Sequence, residues 1–137
     1  EFHKNINYDP KKFISFEGFS GPYILYAYVR TKSLLRKAKK SFFGKSAELS
    51  QEAEIALAKK LTSYPDVAKR AARELAPHLV CTYLHEVASM FNTFYAKCPV
   101  TSAGKGVRNA RIELTSATSH ILKNGLSLLG IDTLEEM

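Results

Sequence analysis

Apolar residues recur at intervals of three and four positions through most of the chain, the spacing that places them on one face of an α-helix. The most regular stripe occupies residues 78–96 and consists of Val80, Leu84, Val87, Phe91 and Phe94. This stripe predicts a helix with one side in a hydrophobic core. Signals for β-strands are few, so the pattern favours an all-α fold.

Glycine, proline and asparagine divide the remaining pattern into four further helices. A helix of about 22 residues should start at Ser20-Gly21-Pro22, because a Ser or Gly cap followed by proline is a start signal, and should stop at Gly44. Pro77 should end or kink the third helix, and Asn124-Gly125 should cap the last. The second, third and last helices are expected over about 48–62, 65–75 and 107–124.

Each predicted helix carries apolar residues that should face the core. Those of the first helix are Ile24, Ala27, Tyr28, Leu34, Leu35, Ala38 and Phe42. Those of the other three are Leu49, Ala53, Ala56, Leu57 and Leu61, then Val67, Ala71 and Leu75, then Val107, Ala110, Leu114, Ala117 and Ile121. The 137 residues are 45% hydrophobic, enough for one core. We predict one all-α domain over 1–137, an antiparallel bundle of about five helices. Residues 1–19 should lead in as loops or short turns, and the tail 126–137 should pack on the bundle.

The distribution of charge adds a candidate partner to this fold. The net charge is +7, and residues 1–45 hold ten Lys and Arg against three acids, whereas the remainder holds ten of each. Seven basic residues follow one another from Arg30 to Lys45 without an intervening acid. Such a stretch suits a polyanion, because each neutralised phosphate releases counterions. A solvated helix face is the alternative interpretation.

Several kinds of site are set aside by the sequence. Cys81 and Cys98 lack the second close pair of a structural zinc site, so we expect reduced thiols and no metal. Gly104-Lys105-Gly106 is too short for a phosphate-binding loop, and His85-Glu86 lacks the second histidine of a metalloprotease motif. No apolar run approaches the roughly 20 residues of a membrane span. We expect a cytoplasmic protein that is monomeric, does not contact membranes and contains no catalytic site.

Aromatic residues lie beside the basic stretch and on the most hydrophobic helix. They are Tyr23, Tyr26 and Tyr28 in the first group and Tyr83, Phe91, Phe94 and Tyr95 in the second. Single-stranded RNA loops are recognised by stacking their bases on aromatic rings, so tyrosines next to basic residues would supply both a platform and charge. Aromatic residues at helical spacing are more often packed in a core.

Three segments together resemble the C-terminal, DALR-type anticodon-binding domain of arginyl-tRNA synthetases. The first is Ser15-Phe16-Glu17-Gly18, continuing through Gly21-Pro22-Tyr23-Ile24 and Tyr26-Ala27 to Arg30. The second runs from Tyr83-Leu84 through Phe91-Asn92 and Phe94-Tyr95 to Cys98-Pro99-Val100. The third contains Arg108, Arg111, Leu122-Lys123-Asn124-Gly125-Leu126 and the terminal methionine. The sequence departs from the family pattern at Leu25, Tyr28 and Glu136, and it contains no Asp-Ala-Leu-Arg string.

The resemblance implies part of a class I aminoacyl-tRNA synthetase, which joins arginine to its tRNA with ATP in protein biosynthesis. The catalytic signatures of that family are absent here, so the resemblance places the catalytic domain, with its arginine, ATP and Mg sites, upstream. The lead-in 1–19 would then come from that domain. No cofactor is expected in this domain, and the partner that the resemblance implies is an arginine tRNA.

The resemblance also implies which residues contact the anticodon loop. By position, the base contacts are Tyr23 or Tyr26, together with Tyr95 and Met137, and both Tyr23 and Tyr26 are kept as candidates. Beside them, the basic stretch would hold phosphates through Arg30, Lys32, Arg36, Lys39 and Lys40. Two other functions stay open: a stand-alone RNA-binding module, and a helical protein-interaction domain whose basic stretch binds acidic partners.

Overall fold

The computed structural model describes residues 9–15, 18–38 and 46–134. These ranges contain helices and no strand, which confirms the all-α class. The elements are α1 (Pro10–Phe13), α2 (Gly21–Ala38), α3 (Glu52–Thr62), α4 (Tyr64–Arg73), α5 (His78–Lys97) and α6 (Lys105–Leu128). The first of these is a single turn, and only Ser63 separates α3 from α4. Within these described ranges the bundle therefore has about four long units rather than the five predicted: α2, α3 with α4, α5 and α6.

The long helices alternate in direction around α5. The Tyr83 hydroxyl near the start of α5 donates to the carbonyl of Lys60 near the end of α3, 2.8 Å away, so these helices are antiparallel. Leu84 lies against Gly125 near the end of α6, which makes α5 and α6 antiparallel as well. Tyr23 near the start of α2 contacts His85 in the first half of α5, and Arg30 further along α2 contacts Tyr95 near the end of α5, so α2 and α5 run in the same direction. Because α2 and α5 run in the same direction, residues that follow one another along α2 lie beside residues that follow one another along α5.

The predicted stripe on α5 forms the centre of the core. Val80 is 4% exposed, and Leu84, Val87, Phe91 and Phe94 are fully buried. Ala27, Tyr28 and Leu34 of α2 and Leu122 and Leu126 of α6 pack into the same cluster. Tyr28 is therefore a core residue, whereas Tyr23 is only partly buried and Tyr26 is exposed.

The start of α3 differs from the sequence prediction. The helix begins at Glu52 rather than near residue 48, because the Glu54 carboxylate reaches back and accepts hydrogen bonds of 3.0 Å from the N–H groups of Ser50 and Gln51. Such backbone capping fixes the first turn of a helix. Leu49 precedes the helix and is still packed against the core.

Two predictions about helix ends are wrong for reasons of backbone geometry. Leu75 does not face the core: α4 ends at Arg73, and Leu75 has a φ of 50° and is 78% exposed. Gly125 does not cap α6, which continues to Leu128. A Cβ at Gly125 would lie 2.5 Å from Cδ2 of Leu84, so this glycine allows two helices to approach closely.

The remaining core predictions on α6 and in the tail hold in part. Ala110 and Leu114 are buried, whereas Val107 and Ala117 are exposed. In the tail Leu126 is fully buried, but Leu128 is 63% exposed. The predicted stop at Gly44, the core residue Phe42 and the end of the tail at 135–137 lie outside the described residues.

Candidate nucleic-acid interface

Arg30 on α2 lies between the rings of two exposed tyrosines. Its guanidinium carbon is 4.6 Å from the ring centre of Tyr26, one turn earlier on α2, and 4.9 Å from that of Tyr95 on α5. Its Nη2 also donates a 2.9 Å hydrogen bond to the Tyr26 hydroxyl. The tyrosines are 41% and 43% exposed. These three residues form an aromatic cluster with a cation at its centre, stabilised by cation–π attraction and open to solvent.

Asn92 on α5 connects this cluster to Tyr23. Its Oδ1 accepts a 3.0 Å hydrogen bond from Nη1 of Arg30, and its Nδ2 donates a 3.1 Å hydrogen bond to the Tyr23 hydroxyl. Tyr23 and Asn92 are both half-buried. The three tyrosines that the sequence resemblance selects with Arg30 are thus joined by one chain of contacts across α2 and α5.

Helical spacing explains why these side chains meet. Tyr26 and Arg30 are four residues apart on α2, and Asn92 and Tyr95 are three apart on α5, so each pair shares one helix face. The neighbouring residues Ala27, Phe91 and Phe94 are fully buried and hold both helices against the core. The cluster therefore sits on rigid elements.

A pocket of about 310 Å³ opens beside the cluster, where α5 ends. Its lining consists of Arg30, Ser33, Leu34, Lys37, Tyr95, Pro99, Val100 and Thr101. The volume is at the lower end of the roughly 300–1,000 Å³ range of small-ligand clefts. Aromatic, cationic and apolar groups converge here, a combination suited to a flat ring carrying an anionic group.

A buried ion pair fixes the chain segment that forms one wall of this pocket. Nε of Arg111 on α6 donates to Glu54 at 2.6 Å, and its Nη1 donates to the carbonyl of Pro99 at 2.7 Å. Burial alone would raise the pKa of the Glu54 carboxyl. Hydrogen bonds from Gln51, Arg111 and Ser50 outweigh that effect and lower the pKa below 4.5. Glu54 therefore stays charged at neutral pH and holds Arg111 on the pocket wall.

The basic residues predicted to hold phosphates do not share one face of α2. An α-helix turns by roughly 100° per residue, so Lys32 and Arg36 lie on a different side from Arg30. Lys37, which was not among the predicted contacts, lies on the Arg30 side and lines the pocket. Lys39, Lys40 and Met137 lie outside the described residues.

Further residues at this surface were missed by reasoning from the sequence. His85 on α5 lies 5.1 Å from the ring of Tyr23 and 4.5 Å from that of Phe19, and its Nε2 is 3.1 Å from the carbonyl oxygen of Gly18. Because a carbonyl can only accept, this contact requires a proton on Nε2. The bridging role of Asn92 was missed as well. Its place three residues before Tyr95 was visible in the sequence, but its partners on α2 were not.

Some kinds of site are absent from the described part of the chain. Across residues 9–15, 18–38 and 46–134, no three His, Cys, Asp or Glu residues are grouped so that they could hold a metal ion. No helix within the same ranges has the length and apolar character needed to cross a membrane. Cys81 and Cys98 form no disulfide, and burial raises the pKa of both thiols.

The chain is similar in sequence to arginine–tRNA ligases from several organisms. It is 42% identical over 134 residues to the enzyme of Methanoregula boonei, and the match covers 98% of this chain and 24% of that protein. It is 44% identical over 128 residues to the enzyme of Alteromonas mediterranea, covering 90% of this chain and 22% of the relative. The chain thus spans about a quarter of the length of these curated relatives.

Solved structures show the same relationship. Arginyl-tRNA synthetase of Thermus thermophilus superposes with a TM-score of 0.84 at 35% identity, covering 90% of this chain and 22% of that one. The enzyme of Plasmodium falciparum, at 24% identity and a TM-score of 0.79, shares the fold. The family model described as the DALR anticodon binding domain matches residues 24–137. The chain therefore belongs to the DALR anticodon-binding domain family.

Proposed function

We propose that this chain binds the anticodon loop of an arginine tRNA, and that it does so as part of an arginyl-tRNA synthetase. The observation that carries the proposal is the solvent-facing cluster of Tyr26, Arg30 and Tyr95 beside the pocket at the end of α5. Membership of an anticodon-binding family supports the same partner. The parent enzyme would join arginine to the tRNA with ATP, and its arginine, ATP and Mg sites would lie in the part of the relatives that this chain does not span.

Base recognition in this proposal relies on stacking. The bases of a loop must be unstacked before they are read, and stacking one base on an aromatic ring contributes about 1–3 kcal/mol. The ring of Tyr95 lies 6.3 Å from that of Phe91 and 4.9 Å from Arg30, and it remains 43% exposed. Its solvent-facing part is the platform we assign to one base. Tyr23, Tyr26 and Met137 complete the proposed base contacts.

Phosphate binding is assigned to cations of the basic stretch. Lys37 lines the pocket, and Arg36 is exposed in the last turn of α2, on another side of the helix from Arg30. We place Lys32, Lys39 and Lys40 in the same group because they belong to the same acid-free stretch. Arg30 differs from them, because its guanidinium is already held by Asn92 and Tyr26. Contacts to phosphate position an RNA without reading its sequence. We assign Arg30, beside the rings of Tyr26 and Tyr95, to a base edge instead.

A competition between two short RNAs tests the proposal. One is the anticodon stem–loop of an arginine tRNA, and the other has the same stem with a permuted loop sequence. If the cluster reads the loop, the arginine stem–loop displaces a labelled arginine tRNA at a lower concentration than the permuted one. Equal displacement by both would instead support a basic RNA-binding module without anticodon selectivity, and displacement by neither would contradict binding through the anticodon loop.

A further inference from the structure

Asn92 on α5 forms hydrogen bonds with two residues of α2, Arg30 and Tyr23, yet neither its charge nor its place in a motif indicates a role for it. We propose that Asn92 is a positioning residue that holds the guanidinium of Arg30 between the rings of Tyr26 and Tyr95 before RNA arrives. The expected effect of Asn92 on RNA affinity rests on the proposed function. Its expected effect on the position of the Arg30 side chain does not, because that position is measured in the free protein.

The chemistry of the partners fixes the orientation of the Asn92 amide. A guanidinium has donors only, so the amide oxygen must face Arg30, at the observed 3.0 Å. The amide nitrogen then faces the Tyr23 hydroxyl at 3.1 Å, where it donates and the phenolic oxygen accepts. Because Tyr23 accepts from Asn92, its own hydroxyl proton remains available as a donor. One amide therefore sets the position of Arg30 and the hydrogen-bonding direction of Tyr23.

Arg30 needs such a constraint because its side chain has many rotamers. The ring and hydroxyl of Tyr26 hold Arg30 only against its own helix. The bond to Asn92 ties it to α5, the helix that carries Tyr95, whose ring is 4.9 Å from the guanidinium. Ordering a side chain before binding lowers the conformational entropy lost when the ligand binds. We therefore expect Asn92 to affect RNA affinity through Arg30 rather than by contact.

The first arm of the test uses the free 137-residue chain. Ring currents of Tyr26 and Tyr95 should shift the δ-methylene proton resonances of Arg30 upfield in an NMR spectrum. Asn92→Leu and Asn92→Ala should both move these resonances toward the values of an unstacked arginine. Thr93→Ala is the matched control: Thr93 is exposed, adjacent on α5 and bonded to the Ser89 carbonyl, so the shift should persist. An unchanged Arg30 shift in both folded Asn92 variants overturns the proposal.

The second arm measures binding of an arginine tRNA in a double-mutant cycle. We expect Asn92→Ala to raise Kd about fivefold, the scale of one hydrogen bond. In an Arg30→Ala background the same change should have almost no further effect, whereas with Arg36→Ala the two losses should multiply. Full multiplication with Arg30→Ala overturns the positioning role. If wild type and Arg30→Ala bind equally, the proposed function fails, and the first arm still decides whether Asn92 positions Arg30.

Discussion

At the scale of single residues, three neighbouring tyrosines of α2 have different roles because of where helical periodicity places them. Tyr28 is 1% exposed and belongs to the core, whereas Tyr26 is 41% exposed and stacks on Arg30. Tyr23 is half-buried between His85 and Asn92. The sequence grouped the three, and only the resemblance separated Tyr23 and Tyr26 from Tyr28. The contact between Tyr26 and Arg30 follows from their four-residue spacing on α2. The contact of Arg30 with Tyr95 depends on a neighbouring helix and could not be read from spacing.

Tyr95 gives the sharpest prediction at this scale. We expect Tyr95→Ala to raise the Kd for an arginine tRNA by about tenfold or more, because a stacked base contributes about 1–3 kcal/mol. Tyr95→Phe keeps the ring and should change Kd by less than about threefold. Fluorescence anisotropy with labelled tRNA measures both. Small, equal effects of the two substitutions would remove Tyr95 from the interface.

At the scale of helices, packing decided the points that sequence signals left ambiguous. Asn124-Gly125 has the form of a helix cap, but Gly125 lies inside α6 and makes room for Leu84. Leu75 has the spacing of a core residue, but the backbone turns outward with a φ of 50°. The α5 stripe was predictable because five positions agree with one period. A single glycine or a helix end is one position, so no other residue of the pattern supports its interpretation.

The packing role of Gly125 can be tested by substitution with alanine, which has two opposing effects on the free energy of unfolding. Alanine is favoured over glycine in a helix by about 1 kcal/mol, but a Cβ here would overlap the buried Leu84, and overpacking costs about 1–3 kcal/mol. We expect Gly125→Ala to lower the free energy of unfolding in wild type and to raise it in a Leu84→Ala background. Urea unfolding measures both. Gly21→Ala is the control, since nothing lies within 4 Å of that site. Stabilisation by Gly125→Ala in wild type would show that the Leu84 side chain can move away from the added methyl group at little cost.

The ion pair between Glu54 and Arg111 links α3, α6 and the pocket wall, and it makes a prediction about pH. The pKa of Glu54 is lower in the folded chain than its ordinary value of 4.5, so its contribution to stability is complete above that value. The contribution should be lost as the pH falls through the folded pKa. Glu54→Gln should flatten this part of the acid dependence.

At pH 7 the same substitution should lower the free energy of unfolding by about 3 kcal/mol, because Arg111 would remain buried without its counter-charge. Glu86→Gln is the matched control. Glu86 pairs with Lys60 at a side chain that is 48% exposed, and exposed pairs contribute less than about 1 kcal/mol. Urea unfolding between pH 3 and 7 compares the variants. Equal losses for the two substitutions would show that the buried pair is no more important than the exposed one.

At the scale of the whole molecule, the proposed RNA-binding face is formed by α2 and the second half of α5. The all-α class and the core could be predicted from periodicity, and the family from three motifs in order. Charge alone indicated a polyanion but not its identity. The basic residues Lys32 and Arg36 lie on a different side of α2 from Arg30. Residues that form one basic stretch in the sequence therefore do not form one basic surface. Only the parallel alignment of α2 and α5 brings the aromatic and cationic groups together.

The most direct test of anticodon reading compares two tRNAs at two salt concentrations. Binding of this chain to an arginine tRNA and to a non-cognate tRNA is measured by fluorescence anisotropy at about 50 and 200 mM salt, a range over which purely electrostatic contacts to phosphate weaken strongly. If the cluster on α2 and α5 reads the loop, both affinities fall with salt, but the preference for the arginine tRNA persists. Equal affinities that fall together would contradict anticodon reading by these 137 residues and leave a basic surface that binds any RNA.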